Sequence, residues 1–305
     1  MDDFVAGLPK AELHIHLEGS VDPEAAAELA PEVSPETIRA LYAFTDFHGF
    51  LDTFGWVVKH MQTPEAYALV TRRLIEKLAA QNVRYAEITM AAGVVLWKKQ
   101  EFAPVFEAIR DAARGGPVKV RWIFDAVRQF GAEHAMEVAK LAAARQGEDV
   151  VAFGIGGDEE EGPAELFGDV FSYARDAGLR LVAHAGESCG PESIRAALAL
   201  GAERIGHGIA AARDADLMRL LRERDIPLEV CITSNLVTGV VARLEEHPVR
   251  RLYDAGVPLV LNSDDPGMFG AWLADEYRLA ARSFGFMEAE LGGLAENGFR
   301  YAFAR

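Results

Sequence analysis

From residue 64 onward the chain alternates between two kinds of hydrophobic spacing. Short apolar runs with the composition of buried strands lie over 83–90, 118–127, 150–155, 179–184, 204–207, 227–232 and 258–262. Between them, apolar residues recur every three or four positions, which predicts amphipathic helices over 66–81, 102–114, 133–145, 166–177, 193–200, 215–224 and 248–255. Two more helices, 271–284 and 288–303, follow the last strand. With an opening strand within 11–19, about eight strands alternate with helices. Such alternation predicts a parallel sheet, and eight units predict an α/β fold of the (β/α)8 TIM-barrel type. Gly178, Gly201 and Gly256 each end a helix just before a strand, where a left-handed residue is expected. No linker or low-complexity segment divides the chain, so residues 1–305 read as one barrel domain.

The stretch 21–64 departs from this rhythm and reads as a helical insertion after strand one. Pro23 sits near a helix start, and Pro31 and Pro35 break the pattern. Phe44, Phe47, Phe50, Leu51 and Phe54 form an apolar series within it. Spacing alone favours a small helical core; an apolar lid over a pocket is the alternative.

A net charge of −16 with no Lys/Arg block argues against nucleic acid as a partner and reads as a solubilising surface. Cys189 and Cys231 are the whole cysteine content, which suits a reducing cytoplasm. The acidic start has no apolar core of the kind a signal peptide needs, and no apolar run is long enough for a membrane span. A cytoplasmic enzyme with a small-molecule partner is expected, of undefined oligomeric state.

In a (β/α)8 barrel the chemistry lies at the C-terminal ends of the strands. Strand one carries His14-Ile15-His16-Leu17-Glu18-Gly19, whose two histidines share one face at a period of two. Strand five ends in His184-Ala185-Gly186-Glu187, strand six in His207, strand seven in Thr233-Ser234-Asn235 and strand eight in Ser263-Asp264-Asp265-Pro266. His14, His16, His184 and Asp264 suit one zinc ion, Zn2+, with room left for a water. Such a metal lowers the pKa of water toward neutrality. His207 is placed to orient that water or take its proton, and Glu187 to protonate a substrate. Asp264 or Asp265 could instead cap the helix that opens at Pro266. His48, His60, His134 and His247 lie away from strand ends and read as surface or helix residues.

These segments, together with Gly156-Gly157-Asp158-Glu159, Arg204-Ile205-Gly206-His207-Gly208 and Asn262-Ser263-Asp264-Asp265-Pro266, resemble the adenosine deaminase family of the amidohydrolase superfamily. They stand in family order and span nearly the whole chain. The resemblance implies a zinc hydrolytic deaminase of a 6-aminopurine. His14, His16, His184 and Asp264 would bind zinc, Glu187 would protonate purine N1, and His207 would orient and help deprotonate the water. Asp265 would bond purine N7, the Gly157 N–H would meet N3, and Phe50, Leu51 and Phe54 would form an apolar wall over the pocket.

One position departs from the family pattern. Adenosine deaminases typically carry Asp, in contact with the nucleoside 5′-hydroxyl, where this chain has Glu18. Adenine deaminase relatives carry Glu there, but usually show Asp at the position of Gly206 and lack a run like Gly157-Asp158-Glu159. The combination resembles bacterial members acting on 6-amino-6-deoxyfutalosine, a nucleoside of menaquinone biosynthesis whose 5′ carbon bears a carboxybenzoyl chain. That compound or adenosine is the expected substrate, the former slightly preferred; adenine is an alternative. Arg128 could face the substrate carboxylate, although a structural salt bridge is the favoured reading. A two-metal amidohydrolase is disfavoured, since strand four has no lysine for a carboxylated bridge.

Overall fold

Eight short parallel strands pair in sequence order: β1 (Lys10–His16), β2 (Val83–Met90), β3 (Lys119–Val127), β4 (Val150–Gly156), β5 (Arg180–Ala185), β6 (Arg204–His207), β7 (Leu228–Val230) and β8 (Leu259–Leu261). The computed structural model describes residues 1–44 and 47–303, excepting the side chains of 47 and 48. The sheet curls until its edges meet. Ile15 bridges to Asp264, His16 N–H donates to the Asp264 carbonyl (2.9 Å), and Asp264 N–H donates to the His14 carbonyl (3.0 Å). The expected TIM barrel is present, with its helices outside.

β1 does not follow plain alternation. Ala11 and Leu13 face the barrel interior with Tyr85 and Val260, whereas Glu12 points outward and takes both the N–H and the hydroxyl of Ser263 (3.0 Å each). Strict alternation would then turn His14 outward. The register against β2 slips between Glu12 and Ile15, and this bulge brings both histidines inside. Asn262 Oδ1 accepts from Leu13 N–H (2.9 Å) and His14 N–H (3.2 Å), satisfying the backbone where pairing is disturbed.

The insertion after β1 contains helices Pro23–Leu29, Pro35–Leu41 and Phe47–His60. Pro35 opens a helix rather than merely interrupting one. It occupies the first turn, where a missing N–H costs nothing, and Ser34 caps it. Short helices at Asp2–Gly7 and Ala92–Trp97 were not expected, and the other differences are at ends. β7 stops at Val230, and Ser234 and Asn235 lie on a short helix, Ile232–Val237. The last helix stops at Arg300, so Tyr301–Phe303 is not helical but turns into the barrel. Gly178, Gly201 and Gly256 have φ of 88°, 92° and 75°, as their positions require. Among the described residues no helix is long and apolar enough to cross a membrane.

Candidate metal centre and active site

The bulge in β1, the end of β5 and the turn after β8 bring four of the expected side chains together. His14, His16, His184 and Asp264 each offer a ligand atom, all within 4.8 Å of one another. His16 Nε2 is 3.3 Å from His184 Nε2 and 3.3 Å from Asp264 Oδ1. His14 Nε2 is 3.2 Å from Asp264 Oδ1, yet it is buried with no hydrogen-bond partner among the described residues. Three imidazoles and a carboxylate crowded around an orphaned nitrogen fit a divalent ion with nitrogen and oxygen ligands. Two of the three imidazoles are turned by a bond on the other nitrogen: His14 Nδ1 to Glu229 Oε2 (2.7 Å) and His184 Nδ1 to the Ile155 carbonyl (3.2 Å). Ser234 Oγ donates to Asp264 Oδ2 (2.6 Å), so this carboxylate serves the cluster rather than a helix cap. Asp264 (φ 63°) and His207 (φ 59°) both adopt left-handed backbone, strain that non-glycine residues hold at sites their surroundings over-determine.

His207 and Glu187 stand beside this cluster, 3.5 Å apart between Nε2 and Oε2. Burial, and after it the Asp264 carboxylate, push the Glu187 carboxyl up to about 8. Burial holds the His207 imidazole down to about 4, hence neutral. Its tautomer follows from a chain of bonds. Val249 N–H can only donate, so His247 Nδ1 accepts (3.2 Å) and His247 Nε2 carries the proton. That proton goes to Asn235 Oδ1 (3.1 Å), which turns Asn235 Nδ2 toward His207 Nδ1 (3.2 Å). Neutral His207 therefore bears its proton on Nε2, facing the site. His247 is thus not the surface or helix residue expected; it is 4 % exposed, in a loop packed under Asn235. His60 and His134 do lie on helices, and His48 falls outside the described side chains.

The remaining expected residues differ in what they present. Asp265 is buried, with Oδ1 lacking any partner, and burial beside Asp264 pushes it up to about 8. Gly157 has φ of 94°, and a Cβ there would collide with Gln129. Phe50 is buried and packs on Phe269 (5.1 Å) behind the β8 turn and on Phe54 (6.0 Å), while Leu51 is 45 % exposed. Glu18 is buried, and its carboxylate accepts from Ala91 N–H (3.2 Å). Arg128 is buried too: it donates to the carbonyls of Gly162 (2.6 Å) and His184, so it clamps backbone and forms no salt bridge among the described residues.

Sequence reasoning missed four contributors. Glu159, seen only as part of a run, accepts from Gly186, Glu187 and Ser188 N–H (2.8, 2.9 and 3.0 Å) and from Ser193 Oγ, fixing the turn that carries Glu187. Glu229 and Arg204 are charges inside apolar strands, a signal that could have marked them. Asp125 projects from β3 into room left by two glycines of β4. A Cβ at Gly154 or Gly156 would fall 2.7 or 2.9 Å from its carboxylate oxygens.

The adenosine deaminase family model matches residues 9–305. An aminodeoxyfutalosine deaminase of Streptomyces coelicolor is 42 % identical over 314 residues, covering 98 % of this chain and 81 % of that protein. Two solved structures are similar throughout. The adenine deaminase from Arthrobacter aurescens has a TM-score of 0.91 and 31 % identity, with 98 % of this chain and 95 % of that one covered. An amidohydrolase from Burkhoderia ambifaria with bound Zn has a TM-score of 0.92 and 28 % identity, with 100 % and 88 % covered. Fold, ligand cluster and full-length matches converge: the chain belongs to the adenosine deaminase family of the amidohydrolase superfamily and is a hydrolytic deaminase of an aminopurine-type substrate, related to aminodeoxyfutalosine deaminase.

Proposed function

We propose that this protein is a cytoplasmic, zinc-dependent deaminase of a 6-aminopurine nucleoside, with 6-amino-6-deoxyfutalosine preferred over adenosine, and so an enzyme of menaquinone biosynthesis. The observation that carries the reaction is the Glu187–His207 pair set against the His14, His16, His184 and Asp264 cluster. That donor set suits zinc, and the related amidohydrolase that holds Zn supports the choice. When bound, the ion supplies the acidity that makes hydroxide available near neutral pH. Glu187, protonated below about 8, donates to purine N1 and makes C6 electrophilic. His207 meets the attacking water with an Nε2–H, so it orients that water as a hydrogen-bond donor. Asp265, whose Oδ1 has no hydrogen-bond partner among the described residues, takes purine N7, and Gly157, which has no side chain, lets its N–H approach N3. Water adds to C6 and ammonia leaves.

Glu18 supports the substrate choice. Its carboxylate already accepts from Ala91 N–H, so it is partly engaged rather than free for a 5′-hydroxyl. The 42 % identical relative that deaminates aminodeoxyfutalosine points the same way. Adenine is the second reading, favoured by the similarity to the Arthrobacter adenine deaminase. The test is the absorbance change of 6-amino to 6-oxo conversion, with the three compounds compared on zinc-loaded protein. Dominant turnover of the futalosine compound is expected. Dominant adenosine or adenine turnover overturns the substrate choice, and silence on all three overturns the nucleoside reading.

A further inference from the structure

The floor of the barrel is made by the segment that follows the last helix, and it bears on the metal cluster through an unbroken run of buried charge. Tyr301 and Ala302 pack on Ala11, Leu13, Tyr85 and Val260, and Phe303 packs on Ile123, Ala152 and Val182. Phe303 N–H donates to Glu87 Oε1 (2.6 Å), and its ring covers the Arg204 guanidinium at 3.7 Å. Arg204 is held in three directions. Nη1 donates to the Tyr301 carbonyl (3.0 Å), Nη2 faces Glu87 Oε2 (2.6 Å), and Nε donates to Glu229 Oε1 (2.5 Å). The other oxygen of Glu229 takes His14 Nδ1–H at 2.7 Å.

We propose that Tyr301–Phe303 is a positioning element of the metal site: it locks Arg204, Arg204 orients Glu229, and Glu229 sets the tautomer and ring angle at which His14 offers Nε2. The guanidinium fork is planar and rigid, so a carbonyl on one arm and a ring on its face fix the direction of the third arm. A carboxylate with one oxygen on that arm cannot swing away from His14 without breaking a buried ion pair. Arg204 and Glu229 are each about 1 % exposed, so water is not on hand to replace a lost partner.

This inference rests on placing the metal at the four-residue cluster, and that placement has its own control: His16→Ala must abolish tight zinc binding. The experiment is zinc competition against a chromophoric chelator on metal-free full-length protein, with thermal unfolding of the metal-free form alongside. Phe303→Ala and Arg204→Lys are expected to weaken zinc binding by about 10- to 100-fold, the range for partners behind a metal ligand. Phe303→Tyr, which keeps the ring, is expected to retain it. Glu87→Gln preserves volume and serves if the other variants fail to fold; it too is expected to weaken binding. Zinc affinity within twofold of the unsubstituted protein in the folded variants, with only the unfolding temperature lowered, reduces the segment to a structural plug and overturns the proposal. If His16→Ala binds zinc normally, the metal placement fails instead.

Discussion

His247 sets the tautomer of His207 through one side-chain amide. Asn235 lies between them, its Oδ1 3.1 Å from His247 Nε2 and its Nδ2 3.2 Å from His207 Nδ1. Removing the amide leaves two buried ring nitrogens without partners. Asn235→Ala is therefore expected to lose about 1–3 kcal/mol of stability in denaturant titration. Asn235→Asp offers an acceptor where a donor stood and moves the His207 proton to Nδ1. Its turnover number is expected to fall at least as far as that of Asn235→Ala, although the aspartate fills the space better.

In the proposed reaction Glu187 acts only while protonated. Glu187→Gln is expected to lower turnover by roughly 10²–10⁴-fold, the span of a general acid, with the unfolding temperature little changed. The carboxyl titrates at about 8, far above its usual value. Turnover of the unsubstituted enzyme is thus expected to hold below about 8 and to fall as pH rises through that value and the proton is lost. A pH–rate profile checks this, and the residual activity of Glu187→Gln is expected to lack that limb.

Metal removal is expected to abolish turnover and to lower the unfolding temperature. An ion that binds only the folded chain stabilises it by about 4 kcal/mol when its free concentration is 1,000 times its dissociation constant. One equivalent of zinc is expected to restore both properties, measured by metal analysis and calorimetry. Asp264→Ala is expected to recover neither.

Gly206 is the neighbour that His14 requires. A Cβ there would lie 2.7 Å from His14 Cε1 and 3.3 Å from the His184 backbone. Gly206→Ala is expected to cost about 1–3 kcal/mol as overpacking and to weaken zinc binding, because the movable neighbour is the ring of a candidate metal ligand. Unfolding and zinc titration of this variant test the two effects separately.

What was legible in the sequence follows from where each constraint resides. Parallel strands are buried on both faces, so Val83–Met90 and Val150–Gly156 stand out as apolar runs. His14, His16, His184 and Asp264 were readable because a barrel places its chemistry at strand ends, and polar residues there are few. The β1 bulge was not readable, because it depends on Asn262, at the far side of the barrel seam, taking two N–H groups. Glu229 and Arg204 escaped because a buried charge means little until its partner is known, and theirs come from other strands. His247 looked idle because only the folded loop brings it beneath Asn235. Tyr301–Phe303 continues the polarity of the preceding helix, and its inward turn is decided by the barrel floor it meets.

The seam between β1 and β8 also determines when this site can exist. Two of the four side chains of the candidate metal cluster stand before the seam and one beyond it, joined by the Ile15–Asp264 bridge. No local piece of the chain carries the set, so no helix or hairpin that forms early can hold the ion as the cluster does. Bringing these two regions together closes a loop of most of the chain, a contact that folding makes late. On the proposed metal placement, uptake of the ion is expected to mark the moment the barrel shuts, so that a zinc signal followed during refolding would time the last long-range step rather than the first collapse.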